Sequence, residues 1–191
     1  FRSLINKRGN IAITEAVREL EKSVRLDPDY APARAQLAIG IALLNNSSST
    51  YGDLSLVEVN EQAGEQLRIA ERLDPDIPEV WAAKTMLAGV NHRETEVVAY
   101  ADRALAIRAN YVDVLNWKVT ALGSLGRFAE TQATREFLLE IDPLSVIGRL
   151  NAVSSIAIAD PDRAKRIAAS IAPQSAWASH TAFAQVYSRT L

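Results

Sequence analysis

The 191 residues carry 21 basic and 23 acidic side chains, a formal charge of -2, so no single-sign field steers the chain toward nucleic acid or an anionic membrane. Cysteine is absent, which excludes disulfides, thiolate zinc sites and a cysteine nucleophile, and the longest unbroken apolar run, Leu37 to Leu44, is eight residues against about 20 needed to cross a bilayer. Alanine occurs 31 times against eight glycines, and no Asn-Gly or Asp-Gly pair offers a tight hairpin, so the composition favours helix over sheet.

The chain opens at Phe1 with neither a methionine nor a signal pattern, and it is expected to be a segment of a longer polypeptide. Phe1 to Arg8 is expected as part of a first helix, with Ile11 to Leu26 as its partner. Ala31 to Leu44 is the next helix and Asn60 to Leu73 its mate, leaving an oversized loop over about 45–59. Its polar start, Asn45 to Thr50, reads as solvated linker. Its second half is expected to dock through Tyr51, Leu54 and Val57, because leaving a large apolar side chain wet forfeits about 1.5–3 kcal/mol. Pro78 suits the first turn of a helix running to Val90. Glu96 to Ile107 carries Val97, Tyr100, Ala101 and Ala104 at spacings of three and four, one apolar stripe. Val114, Leu115, Val119 and Leu122 form the next stripe, Leu125-Gly126-Arg127 a turn, and Phe128 to Ile141 the following helix. A solitary helix, Ser175 to Ser188, is expected after Pro173.

Four of these segments share one ending: Leu26-Asp27-Pro28-Asp29, Leu73-Asp74-Pro75-Asp76, Ile107-Arg108-Ala109-Asn110 and Ile141-Asp142-Pro143. Ser170-Ile171-Ala172-Pro173 is a fainter fifth. The marker positions 28, 75, 109, 143 and 173 are separated by 47, 34, 34 and 30 residues, a 34-residue unit with one insertion. Small residues at the helix contacts (Ala16, Ala63, Ala70, Ala104), Trp81, Leu125-Gly126 and the Asp-Pro endings together resemble the tetratricopeptide repeat family. The resemblance implies an all-α, right-handed superhelix of stacked antiparallel helix pairs, one repeat domain over 1–191, whose first helices line a concave face that receives an extended peptide or partner helix. Departures are Ala109 in a proline position, Arg34 where an aromatic is usual, and Lys84 and Thr85 where leucine and glycine are preferred. Asn6-Lys7-Arg8, Leu26 to Ala33, the insertion with Tyr51-Gly52, and Ile141-Asp142-Pro143-Leu144-Ser145 look like the repeat regions attached to bacterial nucleotide cyclases and winged-helix transcription regulators.

No catalytic or metal-binding constellation emerges from the residues, and no cofactor is expected. The Asp-Pro-Asp triplets fall at helix boundaries, where aspartate accepts backbone N–H bonds. His92 and His180 have no partner at ligand spacing. Gly123-Ser124-Leu125-Gly126 follows a helix rather than a strand and lacks the lysine of a phosphate loop. The expected function is a non-catalytic interaction or regulatory module of a bacterial signalling or transcription-regulating protein, in cytoplasm or periplasm according to its parent. Its partner is a protein or peptide, with no direct nucleic-acid contact and no membrane span in this segment. The alternatives are an auxiliary region of a nucleotide cyclase or a ligand-sensing domain, and the oligomeric state stays open. The expected inward face contains Ala35, Gln36, Ile39, Ala82, Ala83, Met86, Asn116, Trp117, Thr120 and Arg149, with Gln36, Met86, Asn116, Trp117, Thr120 and Arg149 as partner-binding residues. Trp117 has two readings, packing against the following helix or an exposed anchor.

Overall fold

The computed structural model describes residues 10–45, 54–145, 148, 149, 152, 153, 156 and 160–171. They contain α1 (Asn10–Leu26), α2 (Ala31–Leu43), α3 (Leu56–Leu73), α4 (Pro78–Val90), α5 (Glu94–Ile107), α6 (Val112–Ser124), α7 (Phe128–Ile141) and α8 (Pro161–Ala169). Gly148, Arg149, Ala152, Val153 and Ile156 are also helical, and no strand occurs among the described residues. The expected helices at Phe1 to Arg8 and Ser175 to Ser188, together with Tyr51 and Pro173, lie outside them. Helix ends at Leu26, Leu73, Ile107 and Ile141 fall 47, 34 and 34 residues apart, in the rhythm of the sequence markers. The chain divides into two compact units, Phe1–Ala121 and Leu122–Leu191, with the division inside α6.

In the first unit α2 packs on α1, α3 and α4, and α4 packs on α3 and α5. Two prolines start these central helices, Pro32 and Pro78, each in a first turn where a missing N–H leaves no intrahelical bond unmade. Alanine then sets the spacing. Ala35, Ala38, Ala42, Ala63, Ala70, Ala82, Ala83, Ala101 and Ala104 are fully buried, so helix backbones approach closely while Leu37, Val59, Leu67, Val80, Leu87 and Val114 fill the gaps between them. Overpacking at such fully buried positions costs about 1–3 kcal/mol.

The insertion ends earlier than the sequence indicates. Helix α3 starts at Leu56 rather than Asn60, because Ser55 closes a capping box. The Glu58 N–H donates to Ser55 Oγ at 3.3 Å and the Ser55 N–H donates to Glu58 Oε2 at 2.8 Å, satisfying two helix-end donors reciprocally. Leu54 does pack against the core, and the Asn45 side chain donates to its carbonyl at 2.5 Å. Val57 does not dock. It sits in the first turn of α3, off the stripe of Val59, Ala63, Leu67 and Ala70, and is 66% exposed.

The departures from the repeat pattern have physical replacements. Arg34 Nε donates to the Pro28 carbonyl at 2.6 Å and its Nη1 to Gln66 Oε1 at 2.9 Å, tying the start of α2 to α3. Lys84 pairs with Glu71 at 2.5 Å and stands 4.3 Å from the Trp81 ring centroid, so its stem and charge occupy the leucine position. Thr85, fully buried, donates its hydroxyl to the Trp81 carbonyl at 2.8 Å. In the second unit α8 is joined to α7 by a two-pronged pair, Arg163 to Glu136 at 3.0 and 2.7 Å. Ala152, Val153, Ile156, Ala164 and Ala168 form its core cluster among the described residues.

Candidate functional site

The expected binding residues separate by unit. Gln36 on α2, Met86 on α4 and Asn116, Trp117 and Thr120 on α6 belong to the first, and Arg149 to the second. Gln36 is half-buried, whereas Met86 is 8% exposed and lies within the core cluster. Ala35, Ile39, Ala82 and Ala83 are buried too, so alanines that bring the helices together close the lining expected on α2 and α4. Helix α6 differs. Its Asn116 Nδ2 donates to the Val112 carbonyl at 3.0 Å, and the Thr120 hydroxyl donates to the Asn116 carbonyl at 3.2 Å. Asn116 Oδ1 is buried and has no hydrogen-bond partner among the described residues, an arrangement that costs about 1–3 kcal/mol. Trp117 is half-buried with one flank on the first unit's core, and Thr120 is exposed one turn away.

Arg149 does more than the sequence indicates. Its Nη1 donates to the Ser170 carbonyl at 2.8 Å and to Ser170 Oγ at 3.1 Å, and its Nη2 donates to the Leu144 carbonyl at 3.0 Å. It thereby clasps the end of α8 to the turn after α7. Beside this clasp a cleft of about 320 Å³ is lined by Leu139, Pro143 and Ile167 and by Arg149, Arg163 and Arg166. The hydrogen bonds to Glu136 hold the Arg163 guanidinium above its ordinary pKa. Sequence reasoning missed Arg163 and Arg166. Their spacing of three on an amphipathic helix, which puts both on one face, was the available signal.

Among the described residues no three His, Asp or Glu side chains converge as a metal site. His92 occupies the turn between α4 and α5 and His180 lies outside the described residues. No helix among the described residues is long and apolar enough to cross a membrane.

Helix pairs at a 34-residue interval, with alanine contacts and Schellman-type turns between partners, define the tetratricopeptide-repeat fold, and this chain has it. No protein-family model and no curated protein matches the sequence. Among solved structures it is similar to YrrB, a TPR protein with an unusual peptide-binding site, at 16% identity over 90% of this chain and 82% of that one, with a TM-score of 0.60. It is also similar to two structures of MamA, both at 14% identity and a TM-score of 0.50, over 94% and 93% of this chain and 88% and 85% of theirs.

Proposed function

We propose that the chain is a non-catalytic interaction module that receives a peptide or partner segment on the surface around Asn116, Trp117 and Thr120 of α6, with half-buried Gln36 of α2 as a further contact and Arg149 acting separately in the second unit. The observation that carries this reading is Trp117, a large ring packed on the core yet only half-buried, set next to an exposed threonine one turn along α6. A large ring with one free flank, beside an exposed hydroxyl, suits an apolar side chain and a polar group of an incoming peptide. In repeat proteins of this kind first helices such as α6 line a surface, and YrrB, a protein of the same fold, has an unusual peptide-binding site, which supports the reading. The narrower sequence resemblance supports a bacterial signalling or transcription-regulating parent, with no direct nucleic-acid contact in this segment.

The test is a peptide selected on the immobilised full chain, with its affinity then measured against Trp117→Ala by anisotropy. If Trp117 is a desolvated anchor, binding per folded molecule weakens by about 2 kcal/mol or more. Melting is followed in parallel, because one flank of the ring packs on the core. A large fall in Tm with unchanged affinity per folded molecule assigns Trp117 to the core alone and removes the α6 surface from the reading.

A further inference from the structure

The cleft of the second unit combines two chemistries. Leu139, Pro143 and Ile167 supply aliphatic surface, and Arg149, Arg163 and Arg166 supply three permanent cations. No carboxylate lines the cleft, although Glu136 and Asp160 act on Arg163. Arg163 is neutralised by Glu136, but Arg149 spends its donors on backbone and hydroxyl oxygens, which leave its charge uncompensated. Arg166 makes no ion pair or side-chain hydrogen bond among the described residues, although it is exposed beside the cleft and five donors of its planar fork are available. Leu144, whose carbonyl Arg149 holds, turns an 80% exposed aliphatic side chain to solvent next to this clasp.

From these features we infer that the cleft is a docking site for an acidic peptide segment of another protein, with an aliphatic side chain against Leu139, Pro143 and Ile167 and a neighbouring carboxylate hydrogen-bonded to Arg166 in the field of the Arg149 charge. A free phosphate satisfies the guanidinium groups and leaves the aliphatic surface wet. A single strand held through its bases needs a stacking ring, and none lines the cleft. Residues 172 to 191 contain no aspartate or glutamate, so that stretch of this chain supplies no acidic side chain to the site. A volume of about 320 Å³ is at the small end of ligand pockets and matches one aliphatic side chain with its flanking backbone rather than a cofactor. The inference extends the reading of the chain as an interaction module to a second surface, and it does not depend on Trp117.

The experiment uses the full chain and a fluorescein-labelled Ala-Leu-Asp-Glu-Leu-Ala peptide, followed by anisotropy, with the Asn-Gln version of the peptide, inorganic phosphate and a single-stranded oligonucleotide as comparisons. The acidic peptide should bind saturably, and its amide version and inorganic phosphate should bind at least about tenfold more weakly, as loss of a charge-assisted bidentate contact predicts. Arg166→Ala should weaken the acidic peptide about tenfold and Arg166→Lys less, with helical content and Tm unchanged, because Arg166 holds no part of the fold. Trp117→Ala should leave this binding intact, which separates the cleft from the α6 surface. Equal binding of the amide peptide, tighter binding of the oligonucleotide, or indifference to Arg166→Ala overturns the inference.

Discussion

Single residues in this chain are decided by what surrounds their charges. Glu79 begins α4 with a side chain only 10% exposed, and Arg108, in the turn after α5, reaches back to it at 2.6 Å while lying 4.8 Å from the Tyr111 ring centroid. The pair fastens the ends of one helix hairpin, and its two halves are unequal. Removing Arg108 leaves a carboxylate in a place it has been largely cut off from water, whereas removing both charges leaves nothing uncompensated. Arg108→Ala should therefore cost about 2 kcal/mol in urea unfolding, and combining it with Glu79→Gln should restore part of that loss. An additive double mutant would show that the pair is no more than a screened surface contact. Neither residue was legible as a pair, since 29 positions separate them and only the fold brings them together. The same holds for Arg34 and Gln66: the sequence marks Arg34 as a departure, but its partner lies on another helix.

At the scale of the element, turns and caps carry the legible signals. The turns after α4 and α6 are the same structure 34 residues apart. His92 at φ 54° donates its N–H to the Gly89 carbonyl and Arg93 to Ala88, while Gly126 at φ 71° bonds to Gly123 and Arg127 to Leu122. One turn has the residue its backbone favours and the other does not. His92→Gly should accordingly raise stability by about 1 kcal/mol, and Gly126→Ala should lower it by about 1 kcal/mol, although nothing lies within 4 Å of the added Cβ. Thermal melts of the two variants moving in the same direction would contradict the strain argument. The sequence pattern sets the start of α3 four residues late, because the apolar residues inside the capping box Ser55-Leu56-Val57-Glu58 read as loop residues that need a core. Ser55→Ala should cost about 1 kcal/mol. Hydrogen bonds from the Ser55 side chain and then its backbone hold the Glu58 carboxyl below its ordinary value. A carboxyl lowered on folding contributes stability above its unfolded pKa and loses it as pH falls through the folded one. The difference between wild type and Glu58→Ala should thus be present at pH 6 and fade below the usual carboxylate range, and a pH-independent difference would remove the charge from the account.

For the whole molecule, the 34-residue period made the helix order readable because each pair repeats one packing problem, with alanine at contacts and an Asp-Pro ending. The candidate surfaces were harder to read, because the same alanines that announce the repeat also seal α2 and α4, and periodicity does not reveal which inward positions stay open. The Arg149 clasp depends on Leu144 and Ser170, five and 21 positions away, a pairing no spacing rule indicates. The distribution of buried side chains makes a further prediction about dynamics. Amides of α2 and α4 are enclosed by helices on several sides and by fully buried alanine, valine and leucine, whereas α8 buries Ala164 and Ala168 along one face and exposes the other. Local opening is governed by the apolar contacts an element must release, so hydrogen exchange should be slowest in α2 and α4 and fastest among described helices in α8. Binding of the acidic peptide should slow exchange in α8 and leave α4 unchanged, since a ligand protects the element whose opening destroys its site. Protection of α4 on adding that peptide, with α8 unaffected, would move the docking site away from the arginine cleft.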